Sequence, residues 1–147
     1  MSEIQSPKLS AAEEGQVAEI LKRANTVAVV GISEKEDRDS HKVARYLKGH
    51  GYKMIPVNPK LKEVLGEPCY PDLKSIPVHI DIVDIFRSTD AIPGIVDEAI
   101  AVGAGSVWMQ LGLIHDEAAD KARKAGLQVV MNRCTKIEHG RLSSQAS

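Results

Sequence analysis

Four cations stand in polar segments that follow directly on apolar runs. Arg38 and Lys42 come after Val27–Val30, Lys60 after Tyr52–Val57, and Arg87 at the end of Ile80–Phe86. Gly31, Ser33, Ser40 and Asn58 lie in or beside the same segments. Positive charge set among hydroxyl, amide and glycine-backbone donors is the chemistry of phosphate recognition. No comparable set exists for making or breaking bonds. The histidines His41, His50, His79, His115 and His139 show no metal-ligand spacing. Of these, His41 alone opens a helix facing the first polar segment. Asp81 and Asp84 are three apart, so on a strand they point to opposite faces and cannot act as a carboxylate pair. Asp84, between Val83 and Ile85, suits a partly buried structural role, bonding loop N–H groups or an arginine. No nucleophile, base and oxyanion site can be assembled, which favours binding over catalysis.

The elements that position these residues follow from periodicity. Val27 to Val30 is a β-branched run of the kind buried on both faces of a sheet. Gly31 ends it with a turn that lets another molecule approach the backbone. A charged and hydroxyl-rich loop runs from Ser33 to Ser40, and Val43, Ala44 and Leu47 then recur at helical spacing behind Asp39 or Ser40 as N-cap. Upstream, Ser10 and Glu13 have capping-box spacing, and Val17, Ile20, Leu21 and Ala24 make residues 10–24 an amphipathic helix that packs on the sheet. Downstream, Tyr52–Val57 reads as a strand and Asn58-Pro59-Lys60 as a loop. Leu61–Leu65 reads as one helical turn stopped by Gly66, and Glu67–Pro71 as an extended edge piece. Asp72 caps a brief helix to Ile76. Ile80–Phe86 is a strand, and a helix capped by Ser88, Thr89 or Asp90 carries Ile92, Ile95, Val96, Ala99 and Ile100. Ser106–Gln110 is a strand and Leu111–His115 a loop. Asp116 caps an alanine-rich helix that stops at Gly126, and Leu127–Met131 is the last strand. Trp108 reads as core, and the polar tail from Ile137 onward is expected to fray.

This order predicts an α/β, Rossmann-like, doubly wound and mostly parallel sheet of about five strands flanked by helices. The domain is expected over residues 10–140, between a flexible N-terminus (1–9) and a flexible tail (141–147). In such sheets ligands bind beyond the carboxyl ends of the strands. The segments there are Gly31–Ser40, Asn58–Lys60, Phe86–Asp90, Gln110–Gly112 and Asn132–Cys134, all unusually polar for neighbours of a hydrophobic sheet.

Composition narrows the partners. The chain has 147 residues, 43% hydrophobic and 27% charged, with a net charge of −1, so no basic field points to nucleic acid. Aromatics at 3% leave too few stacking platforms for single strands. No run approaches the roughly 20 apolar residues of a membrane span, and the N-terminus lacks a signal-peptide core. Two cysteines, Cys69 and Cys134, without C-x-x-C spacing fit a reduced, cytoplasmic protein. Oligomeric state and protein partners stay open.

A dinucleotide fingerprint would place glycine at Ser33 and an acid after Val57. Both are missing, and Lys60 stands where an acid would repel an extra ribose phosphate. NADP and coenzyme A (CoA) both carry that phosphate. The motifs Val-Ala-Val-Val-Gly-Ile-Ser, Val-Asn-Pro-Lys, Val-Asp-Ile-Phe-Arg-Ser, Trp-Met-Gln-Leu-Gly and Val-Met-Asn-Arg-Cys, in that order, resemble the small CoA-binding protein family. That family is similar to the N-terminal CoA-binding domain of the succinyl-CoA synthetase α subunit. The resemblance covers roughly residues 10–140.

It implies that Gly31, Ile32 and Ser33 meet the pyrophosphate, with Arg38 and the helix start at Ser40 assisting. Asn58, Pro59 and Lys60 would surround the ribose phosphate and adenine, with Phe86 and Arg87 flanking the nucleotide. Gln110 to Gly112 and Asn132 to Cys134 would lie nearer the pantetheine arm. The synthetase's phosphohistidine domain has no counterpart in these residues, so the reading is non-covalent binding of CoA or an acyl-CoA. Two alternatives stand beside it: a small NADP-dependent oxidoreductase, and a thiol-redox protein joining Cys134 to CoA. A buried or incidental Cys134, and an inert Cys69, are the simpler readings of the two thiols.

Overall fold

The computed structural model describes residues 9–145; the N-terminal stretch read as flexible falls, apart from Leu9, outside them, as do the last two residues of the tail. The elements are α1 (Ala11–Arg23), β1 (Thr26–Val30), α2 (Asp39–Gly49), β2 (Lys53–Val57), β3 (Glu63–Val64), β4 (Glu67–Pro68), β5 (Ile82–Ile85), α3 (Ile92–Ala101), β6 (Ser106–Met109), α4 (Asp116–Lys124), β7 (Gln128–Val130) and α5 (Thr135–Gln145). A 3-10 turn at Thr89–Ala91 leads into α3. Five strands form one parallel sheet in the order β2-β1-β5-β6-β7. The chain moves outward from β1 to β2, then crosses back to β5 on the other side of β1. The topological switch is therefore between the carboxyl ends of β1 and β5.

Alternation sorts the strands into two cores. Ala28, Val30, Val83, Ile85, Val107, Met109 and Val129 face α3 and α4, meeting Val96, Ala99 and Ala118, Ala119 and Ala122. Val27, Val29, Ile82, Trp108 and Val130 face the other way, onto Val17, Ile20 and Leu21 of α1 and Val43, Ala44 and Leu47 of α2. Both faces are covered, which explains why the strands read as continuous apolar runs. Each fully buried valine, leucine, isoleucine or methionine among them contributes about 1.5–3 kcal/mol. Leu9, the residue before the cap, is itself buried in the second core.

The capping box of α1 is formed. Ser10 Oγ accepts from Glu13 N at 3.2 Å, and Glu13 Oε1 accepts from Ser10 N at 3.1 Å. Four other expectations change. The N-cap of α2 is Arg38, because Ser40 Oγ is engaged by the loop. Leu61–Leu65 is no helical turn: Glu63 and Val64 pair with Pro68 and Glu67 across a turn at Leu65 and Gly66, whose φ angles are 54° and 76°. Positive φ at both positions is the twist a two-residue hairpin demands. Lys48 holds this turn, donating to Leu65 O at 2.6 Å and pairing with Glu67 at 3.0 Å. Asp72 closes a single turn through Ser75 N and Oγ, and no helix follows. His115 rather than Asp116 caps α4, its Nδ1 accepting from Ala118 N at 3.1 Å.

The largest difference is α5, which occupies the residues expected to fray. Polar ties hold it down. Thr135 is wholly buried, with Oγ1 2.9 Å from Asp84 Oδ2 and 3.2 Å from Gln110 Oε1; Gln110 Oε1 also accepts from Thr135 N at 3.1 Å. His139 Nδ1 meets Tyr46 Oη of α2 at 2.8 Å. Arg141 reaches Glu138 at 2.9 Å and Glu14 of α1 at 3.3 Å. Asp84 thus has the structural role expected of it, but with a hydroxyl as partner and with complete burial. Burial pushes its carboxyl up to about 8, the Thr135 bond opposing the shift. Asp81 lies at the far end of the sheet, where Oδ2 accepts from Asn25 N and Thr26 N.

Candidate ligand-binding site

Parallel strands bring the five polar segments to one edge, and the β1–α2 loop is fastened to itself there. Gly31 has φ +88°, and a Cβ on it would stand 2.6 Å from Phe86 O and 2.7 Å from Arg87 Cδ. Only glycine fits beneath that crossing. Gly31 N donates to Val57 O at 2.9 Å. Ser33 N donates to Ser40 Oγ at 3.0 Å, and His41 Nδ1 donates to Ser33 O at 2.9 Å. Ser33 Oγ accepts from Lys35 N at 3.1 Å. Asn58 ties in the next loop: Nδ2 donates to Ile32 O at 2.8 Å and Oδ1 accepts from Lys60 N at 2.9 Å. The loop's shape is thus set by its own side chains, with buried Ile32 as its hydrophobic anchor.

Two cavities meet at Gly31. One, of about 610 Å³, lies at the start of α2 and is lined by Ser33, Lys35, Arg38, Ser40 and Phe86 together with Asp37 and Asp39. The amino end of an 11-residue helix and two cations give it a positive component that the two aspartates partly offset. The other, of about 300 Å³, lies toward α3 between Val57, Pro59, Pro71, Arg87 and Ile95. Arg87 roofs the joint, since its side chain passes over Gly31.

Farther along the edge, Gly112 N donates to Asn132 Oδ1 at 2.8 Å, and Asn132 holds φ +59°. Gln110 is turned inward as the anchor of α5. Cys134 is 8% exposed and packs within the second core, lining neither cavity at Gly31. Cys69 is half-buried, and burial pushes its thiol up. The candidate residues therefore separate by position. Gly31, Ser33, Arg38, Ser40, Phe86, Pro59 and Arg87 line the two cavities. Ile32, Asn58, Gln110 and Cys134 are engaged internally, and Lys60 and Lys42 are exposed outside both linings. Pro71, Gly94 and Ile95 join the smaller cavity without having been singled out in the sequence. Pro71 arrives because Tyr70 bridges to Val57, a pairing with no local signature.

A family profile described as "CoA binding domain" matches residues 25–140. YneT of Bacillus subtilis (strain 168) is 40% identical over 124 residues, 84% of this chain and 92% of that protein. Acetate–CoA ligase (ADP-forming) I of Archaeoglobus fulgidus is 28% identical over 118 residues, 74% of this chain but 17% of the ligase. A solved structure described as a hypothetical protein from Pyrococcus horikoshii OT3 is 42% identical, with a TM-score of 0.87 over 97% of this chain and 99% of that one. The profile spans well over half of the chain, which therefore belongs to the CoA-binding domain family.

Proposed function

We propose that this protein binds CoA, or an acyl-CoA, non-covalently across the carboxyl ends of its strands. One observation carries the reading: Gly31, with no room for a Cβ, sits at the joint of two cavities at the topological switch. The pyrophosphate is assigned to the larger cavity, where the Ser33 hydroxyl, Arg38 and the first turn of α2 offer donors. The N–H groups of Gly31 and Ser33 are occupied by Val57 O and Ser40 Oγ, so side chains and the helix end do this work. The nucleoside takes the slot between Pro59, Pro71 and Ile95, within reach of the exposed Lys60 for the ribose phosphate. The arm then runs over Phe86 toward Gly112 and Asn132. The ligase named above contains far more chain than this, so its activity is not carried over.

Titration calorimetry with CoA, dephospho-CoA and NADP tests the reading. Arg38→Ala removes a charge-assisted phosphate contact of about 1.5–3 kcal/mol, a loss of roughly ten- to hundredfold for CoA. Lys60→Ala, an exposed pair, costs about fivefold for CoA and nothing for dephospho-CoA. Binding of NADP alone would replace the proposal with the oxidoreductase reading. Absence of binding by all three would remove it.

A further inference from the structure

We infer that the depression beside β7 receives the acyl group of a medium-chain acyl-CoA, a step that rests on the CoA reading above. Among the described residues, a hollow of about 500 Å³ runs along the outer edge of β7, between the start of α1 and the loop before α4. Leu9, Val17, Ile114, Val129 and Met131 give it an apolar strip, the polar side chains Glu13, Gln16, Asp116, Arg123 and Arg133 line the rest, and Asn132 belongs to the same lining. Leu9, Val17 and Val129 are buried, whereas Ile114 is 50% exposed, the most exposed large aliphatic residue of the described chain. That size falls within the range of small-molecule sites, roughly 300–1,000 Å³.

Reach connects this hollow to the phosphate cavity. From β1 to β7 the sheet crosses β5 and β6, three inter-strand spacings or about 14 Å. The pantetheine arm has a dozen bonds between phosphate oxygen and sulfur. At the advance of roughly 1.2 Å per bond of an extended chain it also spans about 14 Å. An extended arm that starts beyond the end of β1 is therefore long enough to bring its sulfur to the Gly112–Asn132 bond. Whatever is esterified to the sulfur projects past Asn132 into the hollow. Asn132 is both the end of the arm's path and a lining residue of the hollow.

A strand from a second copy is the competing occupant of a sheet edge. The three-residue length of β7, and the turn imposed directly after it by Asn132 at φ +59°, make it a poor template for strand addition.

Titration of CoA, acetyl-CoA and octanoyl-CoA into the wild type and Ile114→Asp provides the test, with sedimentation run on both proteins. The wild type is expected to bind octanoyl-CoA at least tenfold more tightly than CoA or acetyl-CoA. Ile114→Asp should lose most of that preference and keep its affinity for CoA; Ile114→Val should retain the preference. Equal affinity of the wild type for all three ligands would overturn the acyl site while leaving CoA binding intact. Failure of all three to bind would overturn both. A wild-type dimer that Ile114→Asp turns into monomer, without any acyl preference, would assign the edge to a second copy instead.

Discussion

Asp84→Asn isolates the protonation of one buried carboxyl. Asp84 is wholly buried between Val29 and Trp108 in register, and its Oδ1 has no partner among the described residues. Desolvation drives the carboxyl from 3.8 to about 8, against the Thr135 hydroxyl bond. The folded chain thus holds a proton that the unfolded chain has released. Stability from this group is complete below about 3.8, falls as pH rises, and levels off above about 8. At about 1.4 kcal/mol per pH unit, the decline between pH 5 and 8 is at most ~4 kcal/mol. Asn keeps the shape and a donor toward Thr135 Oγ1 but does not titrate. Urea unfolding at intervals from pH 5 to 8 should therefore show the wild type losing up to ~4 kcal/mol relative to Asp84→Asn, with the variant more favoured as pH rises. His139, whose ring is held below its ordinary value by burial and by His50, titrates in both proteins and cancels. Stability curves that run parallel over this range would refute the claim that burial keeps Asp84 protonated.

Two further substitutions probe the loop and α5. Gly31→Ala combines a positive φ with a 2.6 Å approach to Phe86 O, so a loss of at least ~2 kcal/mol in thermal unfolding, together with CoA binding, is expected. Thr135→Val removes the hydroxyl beneath α5 and should cost about 1–3 kcal/mol by urea unfolding, whereas Thr135→Ser should cost under half as much.

The strands were legible because burial on both faces leaves an apolar run that only a central parallel strand explains, as in Val27–Val30. The carboxyl edge of the sheet was legible for the same reason: strand ends locate it and polar segments mark it. What escaped was set by distant partners. The polar α5 has almost no apolar stripe, and Gly140 interrupts its pattern; its anchors Gln110 and Asp84 are 25 and 51 residues from Thr135. The Asn58 amide bonds Ile32 O, 26 residues away, a contact that nothing in its local sequence announces. Leu65 misled through its own type, since an isoleucine-sized side chain at positive φ contradicts local preference and is retained by the Lys48 clasp. Ser40 had the right chemistry for a cap and the right position, yet bonds the loop rather than the helix.

Trp108 is the single tryptophan of the chain, wholly buried, and its indole Nε1 donates to Arg133 O at 2.9 Å. That carbonyl belongs to the short link between β7 and α5. The molecule thus carries an intrinsic optical reporter at the hinge of its last helix, one whose emission shifts to the red when the link lifts and water reaches the ring. Because Trp108 lies on the face away from α3, fluorescence follows the detachment of α5 while remaining indifferent to events in the slot beside Ile95.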